Sequence, residues 1–236
     1  GDGDMEENER TAFVTVFTLD PVEPTITYGG SNAGLYRSVA RGEMSQRLVP
    51  AMDTNGAPSS ISVSRMNHNI VWAGTSTGSV YRYEIAANGT ATAKEMRSGL
   101  PSRHVSAVAA GYDSADTVYA VFNGYDANTP ATPGKVFLST DGGQSWRNIS
   151  GNLPDVPATA IALHPTDINR IWIATDAAVY TTADRGATWT SERRNMPVVA
   201  VQDLHYNANT GYLHAGTHGR GVWRLKVGAG TGAAQR

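Results

Sequence analysis

The 236-residue sequence contains no cysteine, which excludes disulfides and thiolate metal sites and leaves the redox compartment open. It has no run of about 18 apolar residues, the length at which a helix can cross a bilayer, so no membrane insertion is expected. Charge of one sign is also missing. A formal net charge of -2 and a pI near 6.3 provide no concentrated basic face for nucleic acid or an anionic membrane. No H-E-x-x-H motif occurs, and no histidine pair has metalloprotease spacing. No metal and no cofactor are therefore expected. Phenylalanine is scarce, with four residues against 25 glycines and 11 prolines. A chain with so many turn formers suits many short strands better than long helices.

What the chain does contain is a repeat. Ser139 to Trp146 (S-T-D-G-G-Q-S-W) returns as Thr182 to Trp189 (T-A-D-R-G-A-T-W). Asp141 and Asp184, Gly143 and Gly186, Ser145 and Thr188, and Trp146 and Trp189 are each 43 residues apart. A period of about 40–50 residues in a β-rich sequence indicates propeller blades. Aromatic residues extend the phase beyond the two motifs. Leu35-Tyr36, Val80-Tyr81, Val136-Phe137, Val179-Tyr180 and Val222-Trp223 mark one strand of each unit. Tyr28, Trp72, Tyr119, Trp172 and Tyr212 mark the strand before it. The interval from Tyr81 to Phe137 is lengthened by an insertion, Asn123 to Gly134, rich in Gly, Pro and Asn. An apolar residue followed by proline closes units at Val49-Pro50, Leu100-Pro101, Leu153-Pro154 and Met196-Pro197.

These markers predict an all-β chain, a β-propeller of four-stranded antiparallel blades with strands A to D running outward from the axis. Five units are expected, at about 12–50, 59–100, 104–153, 158–196 and 198–227. An acidic segment (1–11) precedes them and a flexible tail (228–236) follows. The first strand is read as Ala12 to Thr18. The fifth unit lacks its outer strand, and Asp2 to Arg10, with five carboxylates in nine residues, is a poor substitute. A closing strand, with or without further blades, is therefore expected from sequence upstream. The same acidic run invites a calcium reading, but EF-hand spacing is not met and a solvated terminus is the expectation.

The motif falls in the C-to-D hairpin. There a short Asp can accept turn N–H groups, Gly can take a positive φ, and a Ser or Thr hydroxyl can bond the turn backbone. Trp is expected to lock the hairpin onto its blade. Ser139, Asp141, Gly143, Ser145, Trp146, Thr182, Asp184, Gly186, Thr188 and Trp189 are accordingly read as structural. On these residues the chain resembles the BNR or Asp-box repeat β-propellers, whose pattern is S/T-x-D-x-G-x-S/T-W. The likeness extends over roughly residues 12–227, with the other units keeping little of the box. The closing G-T-H-G-R-G-V-W-R-L, Gly216 to Leu225, looks like the last repeat of large secreted proteins of this group.

The family includes enzymes, and their patterns can be placed residue by residue. The F-R-I-P-like motif of the sialidases does not occur. The stretch like R-T-D-x-G-G-x-Y-R in xyloglucanase-like members aligns with Gly29 to Arg37, where Ser31 stands at the position of the catalytic Asp. Neither activity is implied by the resemblance.

In a propeller the B-to-C loops and D-to-A connections share one face, opposite the motif hairpins. That face is expected to carry Asn32, Arg103, His104, Tyr125, Asp126, His218 and Arg220. Asp155 and Asp176 are its candidate catalytic carboxylates, one to act as acid and one to stay ionised; loop capping is the plainer role for each. The reading is a non-catalytic propeller, extracellular, surface-associated or periplasmic, that presents this face to a protein or glycan. A glycoside hydrolase and an assembly-factor propeller, like those that bind photosynthetic complexes, are the alternatives.

Overall fold

The computed structural model describes residues 16–31, 34–39, 44–48, 56–192 and 195–227. The acidic segment, most of the predicted first strand, Asn32 and the tail lie outside these residues. The strands form five antiparallel sheets, each a meander in chain order. The first holds β1 (Phe17–Leu19), β2 (Thr27–Ser31), β3 (Gly34–Val39) and β4 (Met44–Leu48). The second holds β5 (Pro58–Val63), β6 (Ile70–Thr75), β7 (Val80–Ile85) and β8 (Ala91–Glu95). The third is β9 (Val105–Ala110), β10 (Val118–Phe122), β11 (Val136–Ser139) and β12 (Arg147–Asn148). The fourth is β13 (Ala158–Leu163), β14 (Ile171–Thr175), β15 (Val179–Thr182) and β16 (Thr190–Ser191). The fifth has three strands, β17 (Val201–Asn207), β18 (Tyr212–Thr217) and β19 (Val222–Lys226).

The first strands of all five sheets line one central channel of about 700 Å³, with residues such as Leu19, Ser62, Ala109, Ala162 and His205 on its wall. The sheets therefore radiate from a common axis. Small and hydroxyl side chains on these strands allow close approach and cross-link them. Ser59 Oγ donates to the Val105 carbonyl (2.6 Å), Ser106 Oγ to Ala158 (2.8 Å) and Thr159 Oγ1 to Val201 (2.5 Å), joining the second sheet to the third, the third to the fourth and the fourth to the fifth.

The core lies between sheets, not within them. Alternating side chains of a strand point to opposite faces, so each middle sheet serves two neighbours. In β6, Val71 and Ala73 pack with the first sheet, while Ile70 and Trp72 pack with the third. In β14, Ile171 and Ile173 face the third sheet, while Trp172 and Ala174 face the fifth. Four apolar seams result. Trp72 and Trp172 are fully buried in them, and each such large apolar group contributes roughly 1.5–3 kcal/mol or more. In the fourth seam Trp172 stacks on Tyr206 at 5.0 Å between centroids, and the Tyr206 hydroxyl bonds His164 Nε2 at 3.2 Å.

In four of the five sheets the turn after the first strand is held by a side-chain acceptor at a constant phase; in the third sheet Gly111 stands there. Asp20 Oδ1 accepts the N–H groups of Val22 and Glu23 at 2.8 and 2.9 Å. Ser64 Oγ takes those of Met66 and Asn67, His164 Nδ1 those of Thr166 and Asp167, and Asn207 Oδ1 those of Asn209 and Thr210. Four chemically different residues thus do the same work, because each places a lone pair two to three residues ahead along the chain.

Candidate functional site

Two faces follow from the connections. On one, the B-to-C loops of the second to fifth sheets bond the adjacent D-to-A connections. Ser76 N–H donates to Ala57, Asn123 to His104, Asp176 to Pro157 and His218 to Ala200, at 2.9–3.1 Å. On the other, the motif hairpins lie against the A-to-B turns, with Gly142 N–H on the Asp116 carbonyl and Arg185 N–H on that of Asn169, both at 3.0 Å.

The motif hairpins are built alike. Ser139 Oγ donates to Asp141 Oδ1 (2.7 Å) and accepts the Gly143 N–H (2.8 Å), while Asp141 accepts the Ser145 N–H (3.0 Å) and hydroxyl (2.5 Å). Thr182, Asp184, Gly186 and Thr188 repeat the pattern at 2.6, 3.0, 2.9 and 2.5 Å. These bonds hold the carboxyls down to about 2. For Asp141 the Ser145 hydroxyl is the largest cause, and for Asp184 the Thr182 hydroxyl. Both carboxylates are fully committed to their own turns.

The tryptophans act differently from the expectation that they lock each hairpin onto its own blade. Trp146 Nε1 donates to the Met96 carbonyl at 3.0 Å, and Trp189 Nε1 to that of Ile149 at 3.0 Å. Met96 and Ile149 belong to the preceding repeat unit, so each motif fastens one sheet to the sheet before it. Glycine contributes to the same fit. Gly143 has φ +86°, and a Cβ there would meet the Met96 Cβ at 2.8 Å; Gly186 has φ +91° and would meet the Ile149 carbonyl oxygen at 2.7 Å. At a position the motif leaves free, Arg185 reaches back to Asp113 Oδ2 (2.6 Å) and the Tyr119 hydroxyl (3.2 Å) of the third sheet.

On the loop face the structure brings together Arg103, Asp126 and Asp155 around a residue that sequence reasoning missed, Lys135. The Lys135 ammonium, on a residue 2% exposed, lies 2.7 Å from Asp126 Oδ1 and 2.5 Å from Asp155 Oδ1. Asp155 also accepts the Asp126 N–H at 2.9 Å, and Asp126 accepts the Gly134 N–H at 2.9 Å. Buried Arg103 donates to the Gly134 carbonyl and stands 3.5 Å from Asp126. Asp126 lies in a short 3-10 helix, Asp126–Asn128, and Gly134 ends the insertion. The cluster therefore clamps both ends of the insertion to the face, leaving Tyr125 51% exposed beside it.

Electrostatics set what this cluster can do. Desolvation pushes the Asp126 carboxyl up, but the Lys135 hydrogen bond and the Gly134 N–H outweigh it, so it lies below the ordinary range. Asp155 is lowered chiefly by its bond from Lys135 and then by the Asp126 N–H. Both stay ionised at neutral pH, where a glycosidase acid must be protonated. Burial lowers the Arg103 guanidinium, with Asp126 and Asp155 opposing. Asp176 is exposed and takes no part in the cluster, as do His104, His218 and Arg220. The Arg220 carbonyl accepts Trp223 Nε1 at 3.1 Å. Among the described residues no cluster of three or more His, Cys, Asp or Glu could hold a metal ion.

Lys135 leaves one trace in the sequence. The residue just before the apolar-aromatic pair of the third strand is Gly34, Ser79, Ala178 or Gly221 in the other units. A lysine where every other unit is small signals a special environment.

The fold and repeat define the class: five antiparallel sheets in a β-propeller arrangement, two of them carrying the S/T-x-D-x-G-x-S/T-W hairpin. Residues 115–230 match the family model described as photosynthesis system II assembly factor YCF48. No curated protein sequence matches significantly. Among solved structures, a GH74 xyloglucanase from Xanthomonas campestris is similar with a TM-score of 0.68 at 15% identity, over 92% of this chain and 36% of that one. An ancestral GH74 enzyme gives 0.65 at 17%, over 86% and 27%. An extracellular domain from B. thetaiotaomicron, assigned to a one component system, gives 0.62 at 15%, over 90% and 26%. The chain thus spans about a third or less of each of these structures, and at such identities the likeness is one of fold.

Proposed function

We propose that the chain is a non-catalytic propeller module, secreted, surface-associated or periplasmic, that presents its loop face to a protein or glycan partner. The observation that carries this reading is the clamp of Lys135, Arg103, Asp126 and Asp155. It fixes the insertion as a rigid platform and holds one of the two candidate catalytic carboxylates, Asp155, together with Asp126 in internal ion pairs. Tyr125 is the exposed aromatic of that platform, and His104, His218 and Arg220 are the exposed polar groups of the same face. Partner contact is tested with a photo-crosslinking residue at Tyr125 and, as control, one at Gln144 on the opposite face. Crosslinks at Tyr125 alone are expected, and crosslinks at Gln144 alone would overturn the reading.

The match to the assembly-factor model over residues 115–230 favours a second reading within the same class, in which the partner is a subunit of a photosynthetic complex. Hydrolysis remains the rival in a different class. Turnover of xyloglucan that disappears in Asp155→Asn or Asp176→Asn would replace the binding reading by an enzymatic one.

A further inference from the structure

Asparagine followed by glycine is open to one spontaneous reaction, attack of the glycine main-chain nitrogen on the asparagine side-chain carbonyl, because glycine has no Cβ to obstruct the approach. The chain contains three such pairs, Asn55-Gly56, Asn88-Gly89 and Asn123-Gly124. Asn55 lies outside the described residues. The other two pairs are alike in sequence and differ in what holds them.

Asn88-Gly89 forms the tip of the hairpin between β7 and β8. The Gly89 N–H donates to the Ala86 carbonyl at 2.8 Å, and Asn88 Oδ1 accepts the Thr90 N–H at 3.0 Å and its hydroxyl at 2.7 Å. Both reacting groups are therefore occupied. The chemically related pair Asp141-Gly142 is held in the same way, with the Gly142 N–H on the Asp116 carbonyl and the carboxylate committed to Ser139 and Ser145.

Asn123-Gly124 opens the insertion, between the end of β10 and the 3-10 helix. The Asn123 N–H donates to the His104 carbonyl at 2.9 Å, which fixes the main chain on its N-terminal side. The next anchored group is the Tyr125 N–H, on Asn128 Oδ1 at 2.9 Å. Between the two anchors, and among the described residues, neither the Gly124 N–H nor the Asn123 side-chain amide makes a hydrogen bond. Both residues are partly exposed to solvent. Gly124 takes φ +92°, a conformation that suits glycine and strains other residues.

We infer that Asn123 is a site of spontaneous deamidation and main-chain isomerisation, while Asn88 is protected by its hairpin. The Gly124 nitrogen, having lost its proton to solvent hydroxide, forms a bond to Asn123 Cγ. The Cγ–Nδ2 bond breaks and ammonia leaves, giving a cyclic imide. Water then adds to one of the two imide carbonyls and opens the ring to aspartate or to isoaspartate. Either product adds a negative charge at the root of the insertion, close in sequence to Asp126. Isoaspartate also lengthens the main chain by one carbon between the His104 anchor and Tyr125. The inference does not depend on what the loop face binds.

The test is peptide mapping by mass spectrometry of the full chain held at mildly alkaline pH, once folded and once in urea. In the folded chain Asn123 is expected to convert at least about tenfold faster than Asn88, since Asn88 and Gly89 must first release hydrogen bonds each worth roughly a factor of five in rate. In urea, where both pairs are free, the two rates should converge. Asn123→Gln, whose longer side chain would need a larger ring, should stop conversion at that position and leave the circular dichroism spectrum unchanged. Equal rates in the folded chain, faster conversion at Asn88, or an Asn123 that stays intact while the unfolded chain converts fully would overturn the inference.

Discussion

The indole N–H of Trp189 donates to the carbonyl of Ile149 at 3.0 Å, across the seam between the third and fourth sheets. Asn152 completes the joint by accepting the Trp189 N–H at 2.6 Å and donating to its carbonyl at 3.0 Å. Trp189 is 4% exposed. Trp189→Ala is expected to cost about 3–5 kcal/mol in chemical denaturation, the range for truncating a buried tryptophan. Trp189→Phe keeps much of the packing and loses a hydrogen bond worth about 1 kcal/mol. Half-buried Trp146 should be the less costly of the two.

Asp141 and Asp184 carry carboxyls held at about 2 against an ordinary 3.8. A depressed folded pKa stabilises the fold above the ordinary value and is lost as pH falls through the folded one. Thermal stability should therefore decline between about pH 4 and pH 2. In Asp141→Asn the decline should be shallower and the neutral-pH midpoint lower, since Asn accepts only one of the bonds well. Melting curves across that range check both points.

His164 must keep Nδ1 unprotonated to accept the Thr166 and Asp167 N–H groups, at 3.3 and 3.0 Å. Burial lowers its pKa from 6.5, with Asp167 and Arg170 acting in opposite directions. Stability at this site is complete above pH 6.5 and lost as pH falls through the lower folded value. His164→Asn places a non-titrating acceptor where Asn207 already performs the same task. It should fold normally and remove the step in a pH titration of the melting temperature.

Lys135→Met removes the cation between Asp126 and Asp155. Breaking a fully buried pair costs about 3–5 kcal/mol, but the two side chains are 36% and 50% exposed, so solvation of the freed carboxylates should bring the loss well below that. The larger effect is local. Amides of Tyr125 to Thr132 should exchange faster while those of β10 and β11 keep their protection, and the Asp126 and Asp155 pKa values should rise in NMR titration.

The repeat was readable because Tyr28, Trp72, Tyr119 and Trp172 occupy the same seam position in successive sheets, and burial of a large ring tolerates few substitutes. Boundaries were less readable. The first strand ends at Leu19, one residue past the expected Thr18, because Leu19 still pairs with Thr27. The direction in which Trp146 and Trp189 point was not legible, since a tryptophan after a turn can cover its own hairpin or its neighbour with equal local chemistry. Nor were the partners of Arg185 and Lys135. Asp113 lies 72 residues from Arg185, and Asp155 lies 20 from Lys135, and no spacing rule joins such residues without the fold. The series Asp20, Ser64, His164 and Asn207 was present at repeat phase but disguised, because the turn asks for a lone pair and not for one residue type.

Because each sheet shares its two faces with different neighbours, cohesion in this molecule is a property of adjacent pairs. The free energy is then close to a chain of nearest-neighbour couplings, like that of other repeat arrays. Among the described residues the first and fifth sheets each have one apolar coupling and the middle three have two. Opening should therefore cost least at the two ends and most at the third sheet. A defect in one seam should divide the molecule into two cooperative blocks instead of loosening it evenly.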